Sequence, residues 1–398
     1  PVPDLIPVSE ALSRIEALVQ PLGTEQCPLA EATGKRLSQP VLADRHLPPF
    51  DRVMMDGYAV RFADLQTQSV FRISGSAMAG DPQSTLPDEA GQAMEIMTGC
   101  PLPKGADTVI PVEDTITEDG MMRLADDANP KQGQFIHRKG SDYPLETELV
   151  GKGTILRSVE VGIAASCGYS ELVVTKRPRV AVFGTGDELV PVEATPLDHQ
   201  IRQSNLHALK ASLPGGLADI QKEGHLADTG DDGPGQLHEA IAASDIVIIS
   251  GAVSKGRLDW IPAALDSCGK KVFHGVSQRP GKPMGVWQAE SGCLIFALPG
   301  NPVSTLVCAH RYILPCLRAI NGIPEKQERV TLAEAFQFKK PLTLFLPVKR
   351  LDSNSVVPKP INNSGDYAGL AGSDGFIELQ KESNHWTAGT EVPLFAWK

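Results

Sequence analysis

Between Asp245 and His310 the chain carries three turns rich in glycine, proline and small polar residues, written SGAVSKG, RPGKP and PGNPVST. The first and last follow short apolar runs, Ile246–Ile249 and Leu294–Leu298, that read as buried strands. Loops of this composition expose backbone N–H groups at strand ends, and in open α/β sheets they build ligand crevices. One such turn is an ordinary connection. Three in a single stretch, the middle one basic, predict a site for an anionic, phosphorylated ligand.

Another strand-like run, Arg179–Phe183, ends in GTGDELV. Its G-x-G lacks the third glycine of a dinucleotide fingerprint. Asp187 and Glu188 instead place adjacent carboxylates at the strand's C-terminal end, an oxygen set that suits a hard cation with phosphates completing its shell. Weaker signals lie upstream. Asp56-Gly57 is a turn-forming pair that presents a carboxylate at a loop tip. Thr98-Gly99 and the KGSD run ending at Asp142 read equally well as plain β-turns.

These residues need elements to position them. Val8–Gln20 has apolar residues at helical spacing (Leu12, Ile15, Leu18, Val19), Ser9 as its expected N-cap and Pro21 at its end. A second short helix is expected over Leu29–Leu37. From Tyr58 to Asp142 short apolar alternations punctuated by Gly, Pro and Asp predict a small all-β domain. Thr147–Arg157 and a helical Val159–Ala165 then return beside the first helix, so one domain is discontinuous.

After Arg177-Pro178, strand and helix alternate through Ser204–Leu213, Ala218–Asp228 and Pro234–Ala243, the pattern of a parallel doubly wound sheet. A helix follows over Pro302–Leu317, and strands and turns beyond Pro324 predict a small β-barrel or sandwich. The expected fold is therefore multidomain, α/β plus β: 1–47 with 143–177, an inserted β domain 48–142, an α/β domain 178–324 and a C-terminal β domain 325–398.

Composition narrows the function. With 41% hydrophobic and 21% charged residues the chain is ordinary for a globular protein. A formal charge of −11 argues against nonspecific binding to nucleic acid or anionic membranes. Seven scattered cysteines without C-x-x-C spacing indicate neither a disulfide framework nor a zinc site. No membrane-length apolar run or signal pattern is present, and the expectation is a soluble cytoplasmic protein. His137, His274 and His310 read as packing or surface residues rather than ligands.

Taken in order, PPFDRVMMDGYAV, IMTGCPLPKGADTVIPVED, FGTGDELV with QSN, SGAVSKGRLD, and RPGKP with LPGNPVS resemble the molybdopterin molybdenumtransferase family, which includes the E domain of gephyrin. The resemblance runs over essentially the whole chain. It implies four domains and a homodimer whose cleft lies between the α/β domain of one subunit and the inserted domain of the other. The implied reaction inserts molybdate into adenylylated molybdopterin, releases AMP and uses Mg²⁺.

At the matching positions it implies that Glu188, Asp228 and Asp259 hold the metal and act in catalysis, joined by Asp56, Thr98 and Asp142 from the partner. It further implies that Ser250, Gly251 and Ser254 cradle phosphate, with Arg279 and Lys282 contacting phosphate or molybdate. Ser204, Asn205, Pro299, Gly300 and Asn301 complete the implied substrate contacts. A molybdopterin adenylyltransferase is an implied partner, and nucleic acid and membrane are not.

The chain departs from the family pattern at Arg52-Val53 (usually Asn-Ser), Gly184 (serine), Ala252 (glycine), Lys255 (valine) and Arg279 (lysine). A methyl at Ala252 crowds a backbone–phosphate approach, and arginine is not a silent replacement for a point-charge lysine. The acidic set is intact. An enzyme is therefore preferred over the alternative, a non-catalytic molybdopterin-binding or scaffold relative.

Overall fold

The computed structural model describes residues 5–213, 216–227, 232–251, 253 and 260–397. Its first helix, α1 (Val8–Glu16), starts one residue before Ser9, the expected cap. Pro7 occupies the N-cap with φ −61° and ψ 155°, since its ring already fixes the non-helical backbone that position needs. Val8, Ala11 and Ile15 form the buried stripe. The helix expected over Leu29–Leu37 is only one 3₁₀ turn, Leu29–Glu31. Gly34 adopts φ +79° and ends any helical path there.

The chain divides into two compact units: Pro1–Cys27, Glu31–Ser38 and Val173–Lys398 in one, Pro28–Ala30 and Gln39–Leu172 in the other. The unit built on Gln39–Leu172 contains a six-stranded sheet. Its strands are β1 (Gly57–Val60), β2 (Val70–Ala77), β3 (Gln92–Ile96), β4 (Thr108–Pro111), β5 (Thr115–Glu118) and β6 (Met121–Leu124). The spatial order is β4-β1-β3-β2-β6-β5. Central β1 is buried at every residue: Ala59 packs with Met94, Ile96 and Val109, while Tyr58 and Val60 pack with Phe71, Ile110 and Met122. Helix α2 (Ser158–Ser166) belongs to the same unit.

The other unit is organised on a second six-stranded sheet: β7 (Arg179–Thr185), β8 (Asp219–Leu226), β9 (Ile246–Ser250), β10 (Gly269–His274), β11 (Gly285–Ala289) and β12 (Leu294–Leu298). The order is β8-β7-β9-β12-β11-β10. The first four are parallel neighbours, and β11 and β10 add an antiparallel edge. Side chains alternate across it, as a strand's period of two requires. Val180, Val182, Ile246, Ile248, Leu294 and Phe296 join the core containing α1, α3 (Ser204–Ser212) and the helical run from Pro302. Ala181, Phe183, Val247, Ile249, Ile295 and Ala297 face α4 (Asp232–Ala243) and α5 (Ile261–Cys268). Helices on both faces make this a doubly wound sheet, and a fully buried Val, Ile or Phe contributes about 1.5–3 kcal/mol each.

The helix from Pro302 continues through a π-turn at Ala309–Ile313 and on to Ile320. Beyond it, β13 (Glu328–Leu332), β14 (Thr343–Arg350), β15 (Ser355–Pro358), β16 (Gly375–Leu379) and β17 (Glu391–Ala396) follow the order β14-β15-β13-β17-β16. β14 also pairs β16, which closes a barrel. No described helix is long and apolar enough to cross a membrane.

Candidate functional site at the carboxyl edge of the central sheet

The parallel register aligns the C-terminal ends of three strands. Gly184 pairs with Ser250, and Ser250 with Leu298. The loops that follow, together with the start of α3, enclose a cavity of about 610 Å³. A crevice outside the carboxyl ends of parallel strands is where open α/β sheets place ligands. Of the expected site residues, Glu188, Ser204, Asn205, Ser250, Gly251, Pro299, Gly300 and Asn301 line it. Arg279 and Lys282 do not, although Pro283 of the same turn does. Asp228, Ser254, Asp259, Ala252 and Lys255 lie outside the described residues.

The lining groups are held by one another. Asn205 Nδ2 donates to Ser250 Oγ at 2.9 Å and to the Gly300 carbonyl at 2.7 Å, tying α3 to two loops. Thr305 Oγ1 lies 2.8 Å from the Pro299 carbonyl, to which it donates, and 3.2 Å from Ser250 Oγ. Its single proton is thereby spent, which makes Ser250 the donor to Thr305. The Gly251 N–H is also engaged, by the Leu298 carbonyl at 3.0 Å. Ser250 and Gly251 therefore serve as a clasp between strand ends, the Ser250 hydroxyl and the Gly251 N–H both being engaged within the chain. Gly251 must be glycine: its φ is +105°, and a Cβ would stand 2.5 Å from Thr185 Oγ1.

Several lining residues stand outside the expected site set, although Thr185 and Gln203 fall within the quoted GTGDELV and QSN motifs. Thr185, Arg202, Gln203 and Gly365 all border the cavity. Gly365 follows Ser364, whose Oγ accepts from Asn301 Nδ2 at 2.9 Å and whose carbonyl accepts from the Val303 N–H at 3.2 Å. The only signal for this loop was its turn composition, NNSGD. Cationic Arg202 is fixed by donating from Nε to the Val192 and Ala194 carbonyls.

The expected residues of the other unit form two groups. Asp56 Oδ1 accepts from both the Thr98 N–H and the Thr98 hydroxyl, each at 2.7 Å. These two bonds, the backbone one first, hold the Asp56 carboxyl below its ordinary range. Asp142 is bound by His137, whose Nε2 stands 2.7 Å from Asp142 Oδ1, while Arg52 Nη2 approaches His137 Nδ1 at 3.0 Å. Antiparallel pairing of His137 with Arg52 brings these residues together. The sequence alone reads His137 as a packing or surface residue. His274 and His310 are packing residues, against Trp287 and Trp397 respectively.

A donor set of carboxylate, hydroxyl and carbonyl oxygens, with no Cys or His among the described lining residues, fits a hard divalent cation and not a soft one.

An oxygen-lined crevice at the carboxyl edge of a doubly wound sheet, followed by a closed β-barrel, defines a multidomain α/β protein built to bind a ligand at the sheet edge. Family models described as "MoeA N-terminal region (domain I and II)", "Probable molybdopterin binding domain" and "MoeA C-terminal region (domain IV)" match residues 6–168, 181–319 and 329–397. A molybdopterin molybdenumtransferase of Synechocystis is 37% identical over 402 residues, covering 99% of this chain and 100% of the relative. That of Haemophilus influenzae is 30% identical, with 98% of each chain covered. A crystal structure of the molybdopterin biosynthesis MoeA protein from Pyrococcus horikoshii superposes with a TM-score of 0.81 at 27% identity, over 99% of this chain and 100% of that one. The chain belongs to the molybdopterin molybdenumtransferase (MoeA) family, enzymes of molybdenum cofactor biosynthesis.

Proposed function

We propose that this chain inserts molybdate into adenylylated molybdopterin and releases AMP, acting as a cytoplasmic homodimer in a Mg²⁺-dependent reaction. The observation that carries this reading is the convergence of the Gly184, Ser250 and Leu298 strand ends on one cavity bordered by Glu188 and the start of α3. Breaking a phosphoanhydride P–O bond puts charge on the departing oxygens, and rate comes from positioning and neutralising that charge.

The N-terminal end of α3, with Ser204 and Asn205, directs helical N–H groups and a positive dipole end at an anion. Asn205, Ser250 and Thr305 keep that helix end and the Pro299–Asn301 loop in register. Glu188, with Asp228 and Asp259, would hold Mg²⁺, whose contribution is to neutralise phosphate charge. Arg279 and Lys282 remain proposed contacts for phosphate or molybdate, and Ser254 for phosphate. The partner subunit's Asp56, Thr98 and Asp142 complete the site. The domain division that accompanies this reading is 1–47 with 143–177, 48–142, 178–324 and 325–398. A molybdopterin adenylyltransferase is the proposed supplier of the substrate.

The test is stoichiometry. Purified protein given adenylylated molybdopterin, Mg²⁺ and molybdate should form one AMP for each molybdenum incorporated. Tight binding of the pterin without AMP at any molybdate concentration would instead indicate a binding protein.

A further inference from the structure

The backbone of Gln203 is pinned at the mouth of α3. Its N–H donates to the Val190 carbonyl at 2.9 Å, beside the parallel pairing of Leu189–Val190 with Ile201–Arg202. The side chain does not cap the helix it precedes. It turns toward the end of β7, where its Nε2 would stand 2.4 Å from a Cβ on Gly184. The amide thus takes space that any other residue at 184 would fill.

Both residues line the cavity, yet Gln203 Nε2 is buried with no hydrogen-bond partner among the described residues. Buried polar groups are almost always paired, so an orphaned donor at a cavity wall calls for a ligand atom. Three of its neighbours have no such donor to spare. The Asn205 amide, the Ser250 hydroxyl and the Gly251 N–H are all engaged within the chain.

We propose that Gln203 is a substrate-binding residue of this chain, its Nε2 donating to a phosphate oxygen of the bound ligand, in a pocket that exists because residue 184 is glycine. The inference rests on the proposed transferase reading. Neutral amide donation holds an anion without the strong Coulombic attraction of a lysine, and leaves Glu188 close by without forming a competing ion pair. Gly184 and Gln203 then act as a pair: a side chain at 184 expels the amide, and without the amide the cavity deepens there.

The experiment measures the dissociation constant of adenylylated molybdopterin for the full chain and for Gln203→Met, Gln203→Glu and Gly184→Ala, with thermal unfolding of each. Gln203→Met keeps the side-chain length and removes the donor. It should weaken binding about tenfold or more while the unfolding midpoint holds or rises, since the cost of an unpaired buried amide is gone. Gln203→Glu, with a negative charge facing phosphate, should weaken it further, and Gly184→Ala should weaken it in the same direction by displacing the amide. Wild-type affinity in both Gln203→Met and Gln203→Glu would overturn the assignment while leaving the transferase reading standing. Unimpaired binding by Gln203→Glu alone would overturn it too, because the group there would then be an acceptor for a ligand N–H. Failure of the wild-type chain to bind the ligand at all would remove the transferase reading, and this inference with it.

Discussion

His137 Nε2 donates to Asp142 Oδ1 at 2.7 Å, and the direction of that bond is set from the other side of the ring. Arg52 Nη2 lies 3.0 Å from His137 Nδ1, and a guanidinium can only donate, so Nδ1 accepts and the imidazole proton sits on Nε2. Arg52 thus selects the tautomer that orients a proposed catalytic carboxylate. The loop carrying Asp142 is fixed independently, by Arg138 Nη1 on Asp51 Oδ2 at 2.7 Å and the Lys139 N–H on Asp51 Oδ1 at 2.8 Å.

Removing the imidazole should therefore cost activity more than stability. His137→Ala is expected to lower kcat/KM about 10–100-fold through misplacement of Asp142. Unfolding free energy should change by less than about 1 kcal/mol, because the pair is partly exposed. Steady-state kinetics beside denaturant unfolding checks both, and wild-type kinetics in the variant would show that the carboxylate needs no such orientation.

Asp56 offers a pH test. Its carboxyl is depressed by the Thr98 N–H and then the Thr98 hydroxyl, so it stays ionised to lower pH than an ordinary aspartate. Thr98→Val removes the hydroxyl bond and leaves the backbone one, which raises the Asp56 pKa toward its usual value. The acid limb of the pH–rate profile should then move to higher pH. An unmoved or lowered limb would mean that Asp56 ionisation does not govern the rate.

Much of this arrangement was legible because it is local. Ile246–Ser250 and Leu294–Leu298 are continuous apolar runs bounded by glycine turns, and such runs fold as buried strands wherever a parallel sheet receives them. The GDE turn and the SN helix start announced themselves as residue types. The helix expected at Leu29–Leu37 was not formed, since a run broken by Gly34 lacks a long periodic face. What escaped depends on distant residues meeting. Arg52 and His137 are 85 positions apart and meet through strand pairing. Gln203 fills the space left by Gly184, and Ser364 reaches Asn301 from 63 residues away. Likewise, residue type alone gave no sign that the protons of Ser250 and Gly251 are spent on Thr305 and Leu298.

The cysteines give a test of packing. Burial pushes the thiols of Cys293, Cys308 and Cys316 up to about 12, and Cys27, Cys100 and Cys167 are buried as well. Cys268, at the end of α5, is partly exposed. A disulfide reagent at mildly alkaline pH should consume one thiol quickly in the folded protein and all seven after denaturation. Cys268→Ser should abolish the fast phase. Rapid reaction of several thiols would contradict the packing of both sheets.

The proposed chemistry occurs in the cavity at the carboxyl edge of the β7–β9–β12 sheet, with Glu188 in its wall. The most direct test is single-turnover AMP release from adenylylated molybdopterin with Mg²⁺ and molybdate, comparing wild type with Glu188→Gln. Wild type should release AMP, and the variant should lose about 100-fold or more of the rate, as when one charge-stabilising group is removed from an active site. Release by Glu188→Gln at the wild-type rate would place the chemistry elsewhere.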